Sequence, residues 1–548
     1  MKRVRMEVAG MTCEDCNLHV GRALERAGAR DVRANWRKGE AVFAVEEGQE
    51  MGRLEQAVRD AGYRPERVET LEGREGTDTS HADVDYDLLV IGAGSAAFAA
   101  AIKARDTGAR VALVEHGTVG GTCVNIGCVP SKALLRAGEL FWQAGHQGFA
   151  GVETSAGKAD LTAIVAQKDE LVRTMRQEKY IDLVEAYGFE VIHGHATFTG
   201  PDALEVDGRA ITAGAYLVAT GASPSVPPIE GLEDAGYLTS TTALDLKEIP
   251  GSLAVIGANA IGLELGQFFL HLGSRVVFFD VLDRIAPFEE PEVSEALTGI
   301  LRDQGAEVHA PAKILRVTGN ADGGRVVQAE IGGEVREFPV DHVLVATGRR
   351  PNTSGMGLEA AGVEVDRRGA IVVDEHLRTT NPRVFAAGDV TPAPQFVYVS
   401  AYEGNLAADN ALNGASRTLD LRTIPRVTFT SPQIASAGLT AAQAHMQGRE
   451  VEVSVLPLSS VPRAIVNRET RGLVKLVADA STKEILGASI LAENAGEVIQ
   501  AAVMALRFRA TVREIAESFH PYLTIAEGLK LAAQTFEKDV AMLSCCAA

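Results

Sequence analysis

The sequence predicts an α/β protein with two domains of one strand–loop–helix plan, an α+β domain after them and a small βαββαβ domain before them. A glycine-rich loop follows an apolar strand and opens a helix at 92–97, and a related loop stands at 257–262. Each unit is followed by a strand that ends in Ala-Thr-Gly, at 219–221 and at 346–348. The recurrence of one unit indicates two domains of similar architecture.

Composition narrows the functional classes. The 548 residues suffice for about three to four domains, and a hydrophobic fraction of 46% can fill buried cores. The formal net charge of -20 disfavours nucleic acid, whose binding depends on Lys and Arg. No secretory leader and no apolar stretch of about 18 residues is visible, so we expect a cytoplasmic protein without membrane insertion.

The first 70 residues predict a separate module. Its apolar runs and stripes follow the order strand, helix, strand, strand, helix, strand, which is the order of a ferredoxin-like fold. The signals are strands at Val4–Val8, Val32–Trp36 and Ala41–Val45, and helical stripes at Leu18, Val20, Leu24, Ala27 and at Leu54, Val58. Residues 71–84 are polar and lack a period, which is typical of a linker.

The glycine loops are dinucleotide-type motifs of Rossmann-like domains. In the first loop, Gly92, Gly94 and Ala97 match the pattern G-x-G-x-x-G/A. Glycines at these positions let a pyrophosphate approach the N-terminus of the following helix. Glu115 ends the next strand and is placed to bind ribose hydroxyls.

The second loop is a poorer match, because Asn259 replaces the middle glycine between Gly257 and Gly262. Asp280 ends the following strand. An acid at this position accepts a hydrogen bond from a ribose 2′-OH and repels a 2′-phosphate, which favours NADH. Arg284 follows four residues later and keeps NADPH open as an alternative.

The cysteines of the chain form three close pairs. Thiolates are preferred ligands of soft metal ions and are also two-electron redox groups. In a reducing cytosol such pairs are more often metal-binding or catalytic than structural disulfides. The pairs are Cys13/Cys16, Cys123/Cys128 and Cys545/Cys546. Three dithiols predict a soft metal ion that passes from pair to pair and is then reduced.

The first pair stands in the string Gly-Met-Thr-Cys-Glu-Asp-Cys at 10–16. Its place between a strand and a helix N-terminus lowers thiol pKa. Two sulfur ligands suit a linear ion such as Cu(I) or Hg(II), whereas a structural zinc site takes four. The string resembles the heavy-metal-associated domains of metallochaperones and metal pumps. A thioredoxin-like redox motif is the alternative, and the surrounding strand order does not fit it.

The second pair stands in the most specific string of the chain, Gly-Thr-Cys-Val-Asn-Ile-Gly-Cys-Val-Pro-Ser-Lys at 121–132. Together with Val-Ala-Thr-Gly at 218–221 and 345–348 and Ala-Ala-Gly-Asp at 386–389, it resembles the pyridine nucleotide–disulfide oxidoreductases over residues 85–548. The resemblance implies FAD and NADPH or NADH as cofactors, and a homodimer with shared active sites. The implied segments are FAD-binding at 85–231 and 352–424, NAD(P)-binding at 232–351, and dimerisation at 425–548.

The same resemblance assigns roles around the second pair. Cys128 is implied as the charge-transfer thiol beside the flavin, and Cys123 as the interchange thiol. Lys132 matches the lysine near flavin N5, and Glu264 matches its ion-pair partner. The other cofactor-binding positions that it implies are Thr122, Gly348 and, for the ribityl chain, Asp389.

Two positions depart from the family pattern. Ala260 stands where the family commonly has a tyrosine over the nicotinamide pocket, so we expect looser access of the nucleotide. The disulfide reductases place a glutamate five residues after the histidine of a His-Pro motif, whereas here Glu527 follows His520 by seven residues. A catalytic and a packing role for His520 both stay open.

The third pair ends the chain in Ser-Cys-Cys-Ala-Ala at 544–548. Adjacent cysteines on a short terminal arm can collect a metal and deliver it by thiolate exchange. With the N-terminal module, this tail resembles the members of the family that reduce Hg(II). The resemblance implies that the tail of one subunit reaches the active site of its partner, where Tyr522 lines the metal pocket.

The expected activity is therefore reduction of Hg(II) to volatile Hg(0) by NAD(P)H and FAD, with mercury detoxification as the result. Small thiols carry Hg(II) to the N-terminal pair, the terminal pair passes it on, and the central pair binds it for reduction. Three alternatives stay open: a lipoamide- or glutathione-type disulfide reductase, a metallochaperone without catalysis, and a reductase of another soft ion such as Au(III) or Cu(II).

Overall fold

A computed structural model describes residues 2–11, 15–36, 39–45, 51–71, 84–320 and 323–539. The chain forms two units, residues 1–83 and 84–548. Most of the predicted linker, at 72–83, lies outside the described residues. Among the described helices, none is both long and apolar enough to cross a membrane.

The N-terminal unit is an antiparallel sheet with two helices in the order βαββαβ. Its sheet order is β2-β3-β1-β4. Val20 and Leu24 of α1 and Leu54 and Val58 of α2 have no exposed surface, because these helical stripes pack into one core. The elements are β1 Lys2–Ala9, α1 Asp15–Arg26, β2 Arg30–Asn35, β3 Glu40–Val45, α2 Met51–Asp60 and β4 Arg64–Leu71.

The second unit begins with an α/β domain on a parallel sheet. Its elements up to residue 245 are β5 Tyr86–Ile91, α3 Ser95–Asp106, β6 Val111–Glu115, α4 Gly121–Ile126, α5 Cys128–Gly145, α6 Leu161–Arg176, a π-helical turn Gln177–Ile181, α7 Asp182–Tyr187, β7 Glu190–His193, β8 Ala196–Gly200, β9 Ala203–Val206, β10 Arg209–Ile211, β11 Ala213–Val218, β12 Ala222–Pro224, α8 Leu232–Ala235 and a 3-10 turn Thr242–Asp245.

A second α/β domain follows, and the chain then returns to the first. The elements are β13 Ser252–Ile256, α9 Ala260–His271, β14 Arg275–Phe279, α10 Pro291–Asp303, β15 Glu307–His309, β16 Lys313–Gly319, β17 Arg325–Ile331, β18 Glu334–Val340, β19 His342–Val345, β20 Arg349–Pro351, β21 Val384–Ala386 and α11 Val397–Asn413. Strand β21 and helix α11 belong to the first domain, because β21 pairs with β11 and α11 packs on α3.

The two α/β domains share one topology. The first sheet has the order β21-β11-β5-β6-β7 and the second the order β19-β13-β14-β15. Their strands pair in parallel. Each domain also carries a three-stranded antiparallel sheet, β8 to β10 and β16 to β18. The repeated plan expected from the glycine loops is thus present, and parallel sheets of this kind bind ligands at the carboxyl ends of their strands.

The C-terminal part is a five-stranded antiparallel sheet of order β22-β23-β26-β25-β24. Its elements are β22 Pro425–Thr428, β23 Gln433–Gly438, α12 Ala441–Met446, β24 Val451–Pro457, a 3-10 turn Leu458–Ser460, α13 Pro462–Asn467, β25 Leu473–Asp479, β26 Ile485–Ala492, α14 Ala495–Arg507, α15 Val512–Glu517 and α16 Glu527–Gln534. The sequence of this domain predicts strands at Val427–Thr430, Val451–Leu456, Leu473–Val477 and Ile485–Leu491 and helices near Ala495–Phe508 and Thr524–Lys538. Strand β23 was therefore not expected, and α16 is shorter than the second of these helices.

Candidate active site

Gly92 and Gly257 occupy the same place in the two α/β domains. Their φ angles are +117° and +98°, a region that only glycine adopts without strain. A Cβ atom on Gly257 would lie 2.5 Å from the carbonyl oxygen of Ala346, and one on Gly92 would overlap the carbonyl oxygen of Ala219. In each domain the backbone of the Ala-Thr-Gly string therefore packs against the first glycine of the loop. The space between the two backbones is too small for a side chain.

Glu115 is held by the first loop. Its Oε2 accepts a hydrogen bond from the backbone N–H of Ala93 at 2.9 Å, and its Oε1 accepts one from Gly117 at 2.6 Å. Both donors belong to the backbone, so the orientation of the carboxylate is fixed at the carboxyl end of β6. Each oxygen keeps a further lone pair for a ligand hydroxyl.

Asp280 is held in the same way by the second loop. Its Oδ2 accepts a hydrogen bond from Ala258 at 2.8 Å and its Oδ1 accepts one from Leu282 at 3.0 Å. In both domains one donor is the backbone N–H of the residue directly after the first glycine of the loop. The acid that accepts its hydrogen bond comes 22 residues later. The ribose-binding positions expected from the sequence are thus structurally equivalent.

The missing middle glycine of the second loop brings no backbone strain. Asn259 has φ -110° and ψ -169°, and the equivalent Gly94 has φ -90° and ψ -166°. Both are extended conformations that any residue adopts. Gly262 and Ala97, two other predicted cofactor-binding positions, do not line the cavity; Gly262 packs against the carbonyl of Gly257, and Ala97 is fully buried on α3.

One cavity of about 1490 Å³ connects the two loops. It brings together residues that are up to about 400 positions apart in the sequence. The predicted site residues that line it are Gly92, Gly94, Glu115, Thr122, Cys123, Cys128, Lys132, Gly257, Glu264, Asp280, Gly348 and Asp389.

Cys123 on α4 and Cys128 at the start of α5 form a hydrogen-bonded pair in this cavity. The pKa of Cys128 is lowered to about 7, first because the Cys123 thiol donates a hydrogen bond to it and further because of the charge of Lys132, while burial opposes the shift. The hydrogen bond to Cys128 and burial raise the pKa of Cys123. Near neutral pH a proton therefore stays on Cys123, and Cys128 is the sulfur of the pair that reaches the thiolate form.

Lys132 lies one helical turn after Cys128 and forms an ion pair with Glu264 of α9. Its Nζ is 2.7 Å from Oε2 of Glu264, which is 5% exposed, and 4.8 Å from the centroid of the Phe429 ring. The second oxygen of Glu264 accepts a hydrogen bond from the backbone N–H of Phe429 at 2.9 Å. This carboxylate thus joins the dithiol helix, the second α/β domain and the C-terminal domain.

Asp389 is half-buried beside Arg349. Burial raises the pKa of Asp389, and the guanidinium of Arg349, 3.8 Å away, opposes the shift. Arg349 also approaches Thr122, whose Oγ1 is 3.4 Å from Nη2. Arg349 was not predicted as a site residue, although its place directly after Val-Ala-Thr-Gly at 345–348 was a signal for it.

Two further titratable groups were also missed. Glu403 on α11 has no exposed surface, and burial raises its pKa to about 7. Its Oε2 accepts a hydrogen bond from the backbone N–H of Gly388, whereas its Oε1 has no partner among the described residues. Burial raises the pKa of Tyr180, which is hydrogen-bonded to Ser95 and feels the charges of the dithiol. Neither position carries a motif in the sequence.

Other predicted site residues lie elsewhere or outside the described part of the chain. Cys16 is 6% exposed near the start of α1. Cys13 and the terminal pair lie outside the described residues. Tyr522 is 51% exposed and does not line the cavity of its own chain. His520 lines a separate pocket of about 350 Å³ on the C-terminal domain, so within one chain it does not meet the dithiol.

Family models match most of the chain. The model described as pyridine nucleotide-disulphide oxidoreductase matches residues 86–404, and that of the dimerisation domain of the same proteins matches residues 424–533. The chain belongs to this family. As a pyridine nucleotide-disulphide oxidoreductase it is a flavoprotein enzyme that works with FAD and NAD(P)H.

Curated relatives cover nearly the whole oxidoreductase. It is 51% identical to the mercuric reductase of Staphylococcus aureus, over 99% of both chains. It is 50% identical to the mercuric reductase of Bacillus cereus, over 100% of this chain and 87% of that relative. Because these relatives match 99% and 100% of this chain, the similarity extends over the N-terminal module as well as the redox domains.

Solved structures resemble the oxidoreductase over about four fifths of its length. The HOCl-induced flavoprotein disulfide reductase RclA of Escherichia coli, solved as a Cu(II) complex, is 31% identical with a TM-score of 0.73, over 82% of this chain and 99% of that one. LpdA of Mycobacterium tuberculosis is 28% identical with a TM-score of 0.73, over 82% of this chain and 100% of that one.

The residues of the cavity fit both cofactors of a pyridine nucleotide-disulphide oxidoreductase. A single small-molecule site usually occupies about 300–1,000 Å³, and this cavity is larger, as two dinucleotides require. At each end of the cavity a glycine, Gly92 or Gly257, has no room for a Cβ atom and precedes the N-terminus of a helix. Backbone N–H groups in such a place bind a pyrophosphate. An acid with spare lone pairs follows each loop, which suits two riboses.

Proposed function

We propose that this protein reduces Hg(II) to volatile Hg(0) with electrons from NAD(P)H, and so detoxifies mercury. The observation that carries the proposal is the likeness to curated mercuric reductases over 99% of the chain, at both ends as well as in the redox domains. The thiolate–thiol pair in the cofactor cavity supports it, because two soft sulfur ligands suit a two-coordinate ion.

Within the cavity we assign the first loop to FAD and the second to the nicotinamide nucleotide. Glycines of each loop bring the backbone close to a pyrophosphate, and the acid after each loop accepts from a ribose. The residues for FAD are Gly92, Gly94, Glu115, Thr122 and Asp389, and those for the nucleotide are Gly257, Asp280 and Gly348. When bound, FAD supplies two-electron transfer from the nucleotide to the substrate.

Cys128 and Cys123 bind the substrate metal. Cys128 attacks first, because its lowered pKa makes it the thiolate of the pair, and its sulfur displaces one of the two thiolates that carry Hg(II). Cys123 then displaces the other carrier thiolate, which takes the Cys123 proton as it leaves. Two electrons reduce the bound Hg(II) to Hg(0), which leaves both sulfurs as thiolates. The ammonium group of Lys132, which Glu264 holds in place, provides a positive charge beside these thiolates.

We also propose roles for the flanking segments. Residues 1–70 are a ferredoxin-like heavy-metal-associated domain, residues 71–84 are a linker, and the two chains of a homodimer share each active site through the segment 425–548. The sheet order β2-β3-β1-β4 supports the first assignment, and the matched dimerisation domain supports the last. Tyr522 lines the metal pocket of the partner.

The outer cysteine pairs relay the metal in this proposal. Cys13 and Cys16 capture Hg(II) from small thiols, and Cys545 and Cys546 deliver it to the inner pair by thiolate exchange, so that no unligated ion is released. Replacing both terminal cysteines with serine is expected to slow turnover of thiol-bound Hg(II) by at least about tenfold, with reduction of the flavin by NAD(P)H unchanged. If the variant and the unaltered protein turned over thiol-bound Hg(II) equally fast in pre-steady-state measurements, the terminal pair would not take part in metal delivery.

The function is tested by anaerobic turnover of the purified, FAD-loaded protein with NADH or NADPH and Hg(II) in excess thiol. We expect oxidation of the nucleotide that depends on Hg(II), with release of volatile mercury in a one-to-one ratio, because both are two-electron reactions. Lipoamide, glutathione disulfide and Cu(II) are the control substrates. If a disulfide oxidised the nucleotide faster than Hg(II) does, the protein would be a disulfide reductase. If Cu(II), the ion in the RclA complex, did so, the protein would be a reductase of another soft ion.

A further inference from the structure

We propose that Glu403 positions FAD by holding the backbone of Gly388 and Asp389, and that it does so as a neutral carboxylic acid. Asp389, which we assign to FAD, lines the cavity directly after Gly388. The inference goes beyond the reduction of Hg(II), because it concerns how the protein retains its flavin. It rests on the assignment of the first glycine loop and Asp389 to FAD.

Glu403 lies in the middle of α11, where this helix packs on α3. Its side chain has no exposed surface. The next residue, Gly404, has no room for a Cβ atom, which would overlap the carbonyl group of Ala96 in the first turn of α3. A Cβ atom on Gly388 would lie 3.2 Å from the Cβ atom of the same alanine. Glu403 is therefore buried where α11, the first glycine loop and the backbone before Asp389 meet.

One oxygen of Glu403 is hydrogen-bonded and the other is not. Its Oε2 accepts a hydrogen bond from the backbone N–H of Gly388 at 2.7 Å. The hydroxyl of Thr391 is 3.4 Å from the same oxygen and donates to the carbonyl oxygen of Gly388 at 2.9 Å. The Oε1 atom has no partner among the described residues. Glu403 and Thr391 together thus fix the N–H and the carbonyl group of the residue before Asp389.

The charges around this carboxyl group leave it without a counter-ion. Arg349 is 3.8 Å from Asp389, and in the part of the chain that the structure describes no cation forms an ion pair with Glu403. The charge that acts on Glu403 is that of Asp389, which is negative. One cation thus serves two neighbouring acids and pairs with the other one. Because an unpaired buried carboxylate is costly, the proton resides on Glu403.

The other elements packed against α11 do not change this balance. The strands β5, β11 and β21 contribute apolar side chains to the core beneath the helix, among them Leu217 and Phe385. On α3, Lys103 is 3.1 Å from Asp409, six residues after Glu403 on α11, and is neutralised there. The surroundings of Glu403 are therefore apolar or negative, and both conditions favour the neutral acid.

A proton on Glu403 couples FAD binding to pH. Burial raises the pKa of Glu403 to about 7, while the hydrogen bonds from Gly388 and Thr391 lower it. The pyrophosphate of FAD brings further negative charge to the first glycine loop, which favours the neutral acid. Below about pH 7 the acid is already neutral, so the affinity for FAD is highest there. Above this pH, FAD binding must take up a proton, and the affinity falls by at most about tenfold per pH unit.

The test measures the dissociation constant of FAD by dilution of the FAD-loaded protein, with flavin fluorescence as the readout. We expect the affinity of the unaltered protein to fall by about tenfold from about pH 7 to about pH 9. Glu403→Gln reproduces the neutral acid, because its amide oxygen still accepts from Gly388 and its other atom is a donor. This variant should bind FAD as tightly as the unaltered protein does below about pH 7, and the fall above that pH should disappear.

Two further variants separate positioning from a general effect on the helix. Glu403→Ala removes the acceptor of the Gly388 N–H, so its affinity for FAD should already be about tenfold lower below neutral pH. Asp409→Asn is the matched control, because it makes the same change from acid to amide on the same helix, at a carboxylate paired with Lys103. It should keep the pH dependence of the unaltered protein.

An affinity of the unaltered protein for FAD that did not change with pH would overturn the proposal. So would a pH dependence that persisted in Glu403→Gln, because another group would then titrate, or full affinity in Glu403→Ala. These results would leave the proposed reduction of Hg(II) intact, because the assay contains neither metal nor nicotinamide nucleotide. A protein that bound no FAD at any pH would overturn the proposed function as well.

Discussion

Replacing Cys123 with alanine is expected to lower mercury-dependent turnover by about 10³-fold or more, because one of the two sulfur ligands of the substrate is lost. The same change removes the thiol whose hydrogen bond is the main cause of the lowered pKa of Cys128. The thiolate is the reactive form, so alkylation of Cys128 rises with pH. Its midpoint should move upward from about 7 in the alanine variant.

Cys123→Ser separates the two effects. A hydroxyl still donates a hydrogen bond to Cys128 but is a poor ligand of a soft metal. Turnover should therefore be lost in both variants, whereas the alkylation midpoint should rise only with alanine. Mass spectrometry of the peptide that contains residue 128 distinguishes this thiol from the outer cysteines. Identical midpoints in the two variants would show that the hydrogen bond does not set the pKa.

Replacing Gly257 with alanine is expected to abolish reduction of the flavin by NADH while FAD stays bound. The added Cβ would lie 2.5 Å from the carbonyl oxygen of Ala346, so the loop that receives the nucleotide pyrophosphate must move. The backbone strain at positive φ costs about 1–2 kcal/mol, and the overlap adds about 1–3 kcal/mol. The binding of ADP-ribose and the flavin absorbance after NADH addition measure the result.

Gly273→Ala is the matched control for this prediction. Gly273 follows the same helix that Gly257 precedes, and its φ is +99° against +98°. A Cβ atom on Gly273 would nevertheless meet no described residue within 4 Å beyond its two chain neighbours. The two variants thus share the strain and differ only in the overlap. We expect Gly273→Ala to lose about 1–2 kcal/mol of stability and to keep nucleotide binding. Equal loss of binding in both would assign the defect to strain alone.

The sequence allowed the two α/β domains to be predicted because their signals are local. Gly92 and Gly257 each follow an apolar strand, and each loop is followed later in the chain by a strand that ends in Ala-Thr-Gly. Strand β23 escaped prediction because its six residues, Gln433–Gly438, are mostly small, so their strand character comes from pairing with β22 and β26 on either side.

Only those site residues that belong to a sequence motif, or match a family position, could be predicted. The pairing of Lys132 with Glu264 followed from the family strings, and the structure contains it. Glu403 and Tyr180 could not be found in this way, because their environments result from packing between elements that are distant in sequence. A buried charge acquires its properties from its neighbours, and these are known only once the chain is folded.

The carboxylate of Glu264 has a consequence for how the enzyme matures. One of its oxygens binds Lys132 beside the reactive thiol, and the other binds the backbone of Phe429, where the C-terminal domain begins. A nascent chain that lacks this domain cannot complete the arrangement. The ammonium group that favours the Cys128 thiolate is then less firmly anchored, so the central cysteine pair of an unfinished polypeptide is slower to bind a toxic cation that it has no means to reduce.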